Sequence, residues 1–323
     1  MMFVFVKNAE DGMIYAAISV FATGAGNVLN ATYSHNYINY TRYSNYEIKR
    51  HLKPIFILFA TTLAVNVYSQ LDTVMLGLFH GDYATGIYSV AVKIKVILLS
   101  LIFSFSVVMM SRLSFVGRKS EQDIYYLLKK SYELIIFVTI PMCAYFILMA
   151  TDSVVFLAGE AFIDANVPMK ILIPTIAISS VSQIIGSQYS VSIGKERNLM
   201  IAVVVGAVMN VIFNTILIPK FSYNGAAIGT IIAEVTQCTI QILLAEEMVR
   251  CVFSIKKFWK VSLGTIAGIL SVLLLRNFVN FTTAFTSLLF SAMVFFIIYF
   301  AVLFAVRYDL CSDFVLLVLR KVK

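Results

Sequence analysis

Charge is scarce in this chain: only 13% of its 323 residues are Asp, Glu, Lys or Arg, whereas a soluble protein carries about 25%. Hydrophobic residues make up 60%, and the mean hydropathy is +0.89. This balance excludes a soluble enzyme, a disordered chain and a nucleic-acid-binding module, despite a net charge of +8. The lysines and arginines lie in short gaps between apolar runs, which is typical of a multi-pass membrane protein.

Residues that hold metals or act as nucleophiles are also few. The four cysteines (Cys143, Cys238, Cys251 and Cys311) contain no C-x-x-C pair, and the three histidines contain no H-x-x-x-H pair. The nucleotide-binding motif G-x-x-x-x-G-K-[ST] does not occur. The sequence therefore predicts no metal site, no cofactor and no nucleic-acid partner.

Nine apolar stretches are long enough to be membrane helices. A crossing needs about 20 apolar residues, and lipid offers backbone groups no partners, so each stretch is expected to be helical. The predicted fold class is an all-α polytopic membrane protein with about nine transmembrane helices. The stretches cover residues 13–33, 54–78, 85–111, 131–150, 167–189, 197–218, 224–247, 258–275 and 285–306.

The distribution of basic residues predicts which connectors share a side. Alternate connectors and the adjoining helix ends hold 19 of the 25 lysines and arginines. The opposite connectors hold only Lys7, Lys220 and Arg276. Because basic loops stay in the cytoplasm, the basic side and the C-terminus are predicted to be cytoplasmic. The basic connectors are residues 34–53, 112–130, 190–196, 248–257 and the tail 307–323.

An odd number of spans puts the two ends of the chain on opposite sides. The first residues, which include Lys7, Glu10 and Asp11, would then have to cross the membrane. An even-numbered bundle that lacks its first helices explains the pattern more simply. We therefore expect a fragment or an internal-start product rather than a complete nine-helix protein.

Five segments of the sequence are each a weak signal of family resemblance, but together, in this order and at these intervals, they are fairly specific. They are LKPIFILFATTLAVNVYSQLDTVMLG (52–77), GDYATGIYSVAVKI (81–94), SRLS (111–114), GKERN (194–198) and NVIFNTILIPKFSYNGAAIGTIIAE (210–234). Taken together, they resemble the Wzx-type polysaccharide flippases of the multidrug/oligosaccharidyl-lipid/polysaccharide (MOP) exporter superfamily. Members of that superfamily usually have twelve to fourteen helices, arranged as two six-helix lobes around a central cavity.

The resemblance implies a division of the chain into four parts. Residues 1–33 correspond to a one-helix remnant of the first lobe, and residues 34–53 to a basic cytoplasmic linker. Residues 54–248 correspond to the second six-helix lobe. Residues 249–323 correspond to a terminal helix pair and a basic amphipathic tail. Nearly all of the first lobe is therefore missing from this sequence.

The resemblance also implies a function. Such proteins move a polyprenyl-diphosphate-linked oligosaccharide, such as an O-antigen or capsule repeat unit, across the bacterial inner membrane by alternating access. They perform no covalent chemistry, so the chain is not expected to be an enzyme. The implied partners are the lipid-linked oligosaccharide, membrane lipids, a coupling proton or sodium ion, and the glycan polymerase machinery.

Other functions stay open at this point. Another exporter of the superfamily, for a peptidoglycan precursor or a drug, would share the fold, although basic groups in a cavity favour an anionic cargo. A membrane-embedded glycan polymerase or acyltransferase needs a large outer loop or an intramembrane acid and histidine, and no predicted span contains histidine. An inactive truncated remnant is the third alternative.

Two acids at membrane depth are candidates for ion coupling. An ionisable group there costs about 2.5–3.5 kcal/mol on insertion scales, so it needs a partner, a wet cavity or the interface. Asp72 lies near the outer end of the second span, where it either faces the cavity as a cation-coupling or substrate-contacting acid or caps the helix near the outer surface. Glu234 lies ten residues into the seventh span, where it is expected to be protonated, paired with a lysine or facing the cavity. It serves either ion coupling or a structural hydrogen bond to a facing helix.

Three lysines are candidates for substrate binding, because an ammonium group is a strong partner for a diphosphate. Lys93 and Lys95 of the third span point about 200° apart. We expect Lys93 to face the lumen and Lys95 to pair with a neighbouring acid or lie in an interhelical groove. Lys170, near the start of the fifth span, either contacts substrate or extends to the outer interface.

Uncharged polar residues also mark helix faces. Asn210 and Asn214 share a face of the sixth span, and Ser180, Gln183 and Ser187 share one of the fifth. Such stripes bind sugar hydroxyls or form hydrogen bonds between helices. Asn210 and Asn214 are therefore additional substrate-binding candidates.

Proline and glycine predict two further local features. Pro141 and Pro174 are expected to kink their helices. Gly264 and Gly268 form a G-x-x-x-G pattern in the eighth span, which favours close packing of another helix.

Overall fold

The structure, a computed structural model, describes residues 12–34, 48–116, 121–279 and 281–308, and these are almost entirely helical. Strands do not occur in these ranges. Most of the predicted linker 34–53 and the tail beyond residue 308 lie outside them. The helices are α1 (Gly12–Ser34), α2 (Ile48–Val116), α3 (Glu121–Leu148), α4 (Ala150–Ala158), α5 (Asn166–Leu172), α6 (Pro174–Gln183), α7 (Glu196–Leu244), α8 (Glu246–Val252), α9 (Ile255–Phe278) and α10 (Ala284–Ala305).

The chain divides into two compact units, Met1–His51 and Leu52–Lys323. The first contains α1, whose 23 residues are enough for one membrane crossing. All contacts described below belong to the second unit.

Helix α2 reverses direction in its middle. It has 69 residues and breaks at Gly81, whose φ of 76° is a conformation that glycine adopts readily. The Tyr88 hydroxyl donates to Asp72 over 2.8 Å, although a straight helix would separate these two residues by about 24 Å. The helix therefore forms two antiparallel arms, residues 48–80 and 82–116.

Helix α7 is a second hairpin, with an unusually close contact between its arms. It breaks at Ser222, whose φ is 49°, and forms arms 196–221 and 223–244. A Cβ atom placed on Gly225 would lie 2.3 Å from the backbone oxygen of Leu217, a distance that real contacts do not show. Only glycine lets the two backbones approach this closely.

The helices account for the predicted spans. In the described ranges, five helices are long and apolar enough to cross a membrane, and segments 160–172 and 174–190 together make a sixth. When the arms of α2 and α7 are counted separately and α1 is included, nine helical segments coincide with the nine predicted stretches. The predicted fold class is confirmed.

The structure shows a bend at one of the two prolines that were expected to kink their helices. The chain bends by 42° between segments 160–172 and 174–190, where Pro174 begins α6. Pro141 lies inside α3, a helix of 28 residues, and its expected kink stays a prediction.

The turns that were predicted to share one side contact each other. His80 Nε2 lies 2.8 Å from the carbonyl oxygen of Ile218, and the Tyr83 hydroxyl donates to Asp164 over 2.9 Å. The turn at Gly81, the end of the 160–165 segment and the turn of α7 therefore lie at the same end of the second unit. The compartment that this end faces stays a prediction.

The terminal helices α9 and α10 pack through the G-x-x-x-G pattern. Cβ atoms on Gly264 and Gly268 would lie 3.0 Å from the rings of Tyr299 and Phe295, respectively. The Tyr299 hydroxyl donates to the carbonyl oxygen of Phe137 in α3 over 2.7 Å. The expected packing role of the two glycines is confirmed.

Polar contacts fasten this helix pair near both of its ends. At one end Lys257 Nζ lies 3.5 Å from Glu133 Oε1. At the other end Arg276 Nη1 lies 3.4 Å from Asp152 Oδ2, which also accepts a 2.7 Å hydrogen bond from Ser287. The pair is therefore tied to α3 and α4 at two depths.

The close contact at Gly225 generates a prediction about stability. Gly225→Ala should destabilise the protein by about 1–3 kcal/mol, because the added methyl group meets backbone that cannot move aside. Gly24→Ala is the control, since a Cβ atom there meets nothing within 4 Å. Thermal unfolding of the detergent-solubilised variants measures both effects. Equal melting temperatures for the two variants would contradict the described hairpin.

Candidate functional site

A cavity of about 410 Å³ lies inside the second unit. Its walls come from both arms of α2, from α6 and its π-helical continuation Ile184–Ser190, and from both arms of α7. Because these arms are membrane spans, the polar side chains in the wall are held away from lipid. The polar lining includes Asp72, Tyr88, Lys95, Thr230, Glu234 and Gln241.

Asp72 is the centre of a buried hydrogen-bond cluster. Its Oδ2 atom accepts from the Tyr88 hydroxyl at 2.8 Å and from Thr230 Oγ1 at 2.7 Å. Its Oδ1 atom accepts from the amide of Asn214, which also donates to Asn210 Oδ1 at 3.1 Å. Within the described residues no cation forms an ion pair with Asp72, so uncharged donors alone surround this carboxylate.

Several oxygen atoms converge on the same cluster. Thr230 Oγ1 lies 3.0 Å from the carbonyl oxygen of Ala226, and the buried Oδ1 atom of Asn214 has no hydrogen-bond partner. Gly229 makes room for that amide, because a Cβ atom there would lie 2.0 Å from Asn214 Oδ1. A carboxylate among amide, hydroxyl and carbonyl oxygens can hold either a hard cation or a proton.

Lys95 and Glu234 form a buried ion pair on the cavity wall. Lys95 Nζ lies 2.6 Å from Glu234 Oε1, and the two residues are 9% and 7% exposed. Ser179 of α6 donates to the other carboxylate oxygen of Glu234. The pair therefore joins the second arm of α2 to the second arm of α7, and the hydroxyl adds α6.

Helical spacing explains why these side chains meet. Tyr88 and Lys95 are seven residues apart, so they lie on one face of the arm 82–116. Thr230, Glu234 and Gln241 follow at intervals of four and seven residues and lie on one face of the arm 223–244. Two polar stripes on apolar helices thus face each other across the cavity.

The two lysines of the third span have different surroundings, and the expected orientation of Lys93 towards a lumen between two lobes stays a prediction, because the described cavity lies inside the second unit. Lys93 has an exposed side chain and does not line the cavity, whereas Lys95 does. The physical reason is the rotation of about 200° between the two positions, which lets only one of them face the polar wall. The expected partnership of Lys95 with a neighbouring acid is observed with Glu234.

The remaining predicted residues occupy different places. Lys170 is exposed in the last turn of α5 and does not line the cavity. Asn210 and Asn214 are fully buried and serve the Asp72 cluster instead of presenting amides to the cavity. Their roles in substrate binding stay predictions.

The polar stripe of the fifth span is only partly as expected. Gln183 and Ser187 line the cavity, whereas the Ser180 hydroxyl donates to the carbonyl oxygen of Ile176 over 2.6 Å. Sequence reasoning missed Ser179, which contacts Glu234. A serine inside an apolar helix gives no signal by itself, because its hydroxyl group can bond to its own backbone.

Tyr88 and Thr230 were also missed. Thr230 precedes Glu234 by four residues, so the shared face was visible in the sequence once Glu234 had been singled out. Tyr88 is one of 17 tyrosines and could not be distinguished from the others without its contact to Asp72.

Comparison with known proteins supports the resemblance stated from the sequence. Residues 13–168, just under half of the chain, match a family described as "Polysaccharide biosynthesis protein". A solved structure, "Lipid II flippase MurJ, inward closed conformation", shares 18% sequence identity and superposes with a TM-score of 0.67. The match covers 81% of this chain and 55% of that chain. No curated protein sequence matches. The structural likeness shows that this chain shares the fold of that flippase, and the family match agrees with the resemblance stated from the sequence.

The buried ion pair generates a prediction about coupling between two residues. Lys95→Met alone should cost about 3–5 kcal/mol of unfolding free energy, because it leaves the Glu234 carboxylate without its cation. The double variant Lys95→Met with Glu234→Met should recover most of that loss.

Unfolding in a denaturing detergent measures both variants. The control is Arg250→Met, since Arg250 and Glu246 form an exposed pair whose loss should change little. Strictly additive losses in the double variant would contradict a direct Lys95–Glu234 interaction.

Proposed function

We propose that this chain, whose fold is that of the MOP-type flippases, takes part in moving a lipid-linked glycan precursor across the bacterial inner membrane by alternating access. The observation that carries the proposal is a lysine at membrane depth, Lys95, on the wall of a cavity that is also lined by hydroxyl and amide groups. This lining suits a substrate with an anionic group joined to a polyhydroxylated one.

The anionic group that we assign to Lys95 is the diphosphate between the polyprenol and the sugar. Phosphate oxygens accept strong charge-assisted hydrogen bonds from an ammonium group, particularly where water is scarce. In the described structure, the carboxylate of Glu234 lies 2.6 Å from Lys95 Nζ, where we expect the diphosphate to bind. Substrate therefore competes with Glu234, and exchange of one anion for the other avoids leaving a buried lysine unpaired.

Asp72 is our proposed site for the coupling ion, which is either sodium or a proton. The support is its burial, its three uncharged donors and the unpartnered oxygen of Asn214 nearby. Thr230 and Glu234 lie one turn apart on the same arm of α7. An ion that binds Asp72 rearranges its contact with Thr230, and Thr230 belongs to the same arm of α7 as Glu234. Because Glu234 competes with the substrate for Lys95, we propose that this arm couples ion binding to substrate binding.

The cargo is either an O-antigen or capsule repeat unit or, as a second candidate, a peptidoglycan precursor. The second candidate is favoured by the likeness to a protein described as a lipid II flippase. Both cargoes carry the same polyprenyl diphosphate, so Lys95 has the same role in each. An enzymatic polymerase or acyltransferase would need a reactive acid and histidine together, and His80 instead contacts a backbone oxygen at a turn. Glycan polymerase machinery is the proposed recipient of the cargo.

The role of Lys95 generates the principal functional prediction. Lys95→Gln should lower glycan export at least about tenfold, because an amide cannot replace the charge that meets the diphosphate. Lys93→Gln is the matched control, two residues away and outside the cavity, and should export within about twofold of wild type.

Complementation of a flippase-null strain, with membrane abundance measured by immunoblot, compares the two variants. The proposal fails if Lys95→Gln, present at normal abundance, exports glycan normally. A loss confined to Lys93→Gln would restore the lysine assignment made from the sequence.

The role of Asp72 generates a separate prediction about energy coupling. Asp72→Asn keeps the shape and removes the charge, so it should abolish the stimulation of transport by an ion gradient. Asp82→Asn is the control, because Asp82 is exposed at the turn of α2. Vesicles with imposed sodium or proton gradients identify the ion. Undiminished stimulation of Asp72→Asn by both gradients would exclude Asp72 as the coupling site.

A further inference from the structure

The cavity contains a glutamine whose hydrogen-bonding groups are unused. Gln241 is 3% exposed and lines the cavity. Neither its Nε2 nor its Oε1 atom has a hydrogen-bond partner. Buried amides are normally paired, because an unpaired one loses the hydrogen bonds that water gave it. Because Gln241 also lines the cavity, a ligand that enters the cavity can supply its missing partner.

The position of Gln241 is defined relative to the ion pair. It follows Glu234 by seven residues on the same face of the arm 223–244, which places it about 10 Å further along the helix. Gly186 leaves space for it, because a Cβ atom there would lie 2.9 Å from Gln241 Nε2. The amide therefore lies beyond Lys95, within reach of a ligand whose anionic group is bound at that lysine.

The surrounding lining at this end has a distinctive chemistry. Gln183, Ser187 and Gln237 also line the cavity, and all three are uncharged. None of the described residues that line the cavity on the Gln241 side of Glu234 carries a charge. Amides and hydroxyls both donate and accept, which matches sugar hydroxyl and acetamido groups. An acidic sugar would find no cation there.

We propose that Gln241 and the neighbouring amides form a subsite for the uncharged sugar that is attached directly to the diphosphate. The inference rests on the proposed function, since it places the diphosphate at Lys95. It goes further by assigning the class of that sugar, a neutral or N-acetylated hexose, and the residue that recognises it.

Binding measurements on the full chain in lipid nanodiscs test this subsite. The two probes are undecaprenyl diphosphate and undecaprenyl-diphosphate-N-acetylglucosamine. The wild type should bind the sugar-bearing probe about threefold to tenfold more tightly, the contribution of one or two hydrogen bonds. Gln241→Leu should remove this preference and leave the affinity for undecaprenyl diphosphate unchanged. Gln70→Leu, at an exposed position, should keep the preference.

Thermal unfolding distinguishes this role from a structural one. Gln241→Leu should melt at the same temperature as wild type or higher, because it replaces an unpartnered buried amide with an apolar group of similar size. A lower melting temperature would show that the amide stabilises the fold and would overturn the subsite.

The binding outcomes separate the two proposals. Equal binding of both probes by wild type, or a preference that survives in Gln241→Leu, overturns the sugar subsite and leaves the proposed function intact. Binding of neither probe overturns both proposals.

Discussion

Hydrocarbon offers a polar side chain no hydrogen-bond partner, and this constraint determines how the second unit is built. Asp72, Lys95 and Glu234 are all less than 10% exposed, although each lies within a predicted membrane span. Each is satisfied by a side chain from another helix. The outward faces are apolar in contrast, as Leu263, Ile266 and Leu270 of α9 illustrate. The polar interior that results is a precondition for the proposed transport of a charged cargo.

The hairpins α2 and α7 determine where these polar side chains meet. Backbone contact at Gly225 draws the arms of α7 together, and Gly229 leaves space for the Asn214 amide. Reversal of α2 at Gly81 brings Tyr88 back to Asp72. The same arm of α7 then carries Thr230 to one cluster and Glu234 to the other. Small residues at helix contacts therefore position the side chains that we propose bind the ion and the substrate.

Much of the fold could be predicted from the sequence, because the length of an apolar run is set by the thickness of the bilayer. The broken helix at Pro174 was also predictable, because proline lacks a backbone donor. The acids Asp72 and Glu234 could be identified, because a charge inside an apolar run is conspicuous. The Asp72 cluster could not be assembled, because Tyr88 and Thr230 have no charge to mark them.

The choice between Lys93 and Lys95 shows where sequence reasoning ends. The angle between the two side chains follows from helix geometry, but the absolute rotation of the helix depends on its neighbours. Contacts with other spans fix that rotation: Tyr88 with Asp72, and Lys95 with Glu234. For the same reason, the partners of Asn210 and Asn214 could not be predicted. Their position on one helix face could be predicted.

The most direct test of the account is an electron cryomicroscopy structure of the full chain in nanodiscs with undecaprenyl diphosphate. The account predicts diphosphate density within about 4 Å of Lys95 Nζ, with the Glu234 carboxylate displaced from its present distance of 2.6 Å. Lipid bound elsewhere, with the Lys95–Glu234 pair intact, would contradict it.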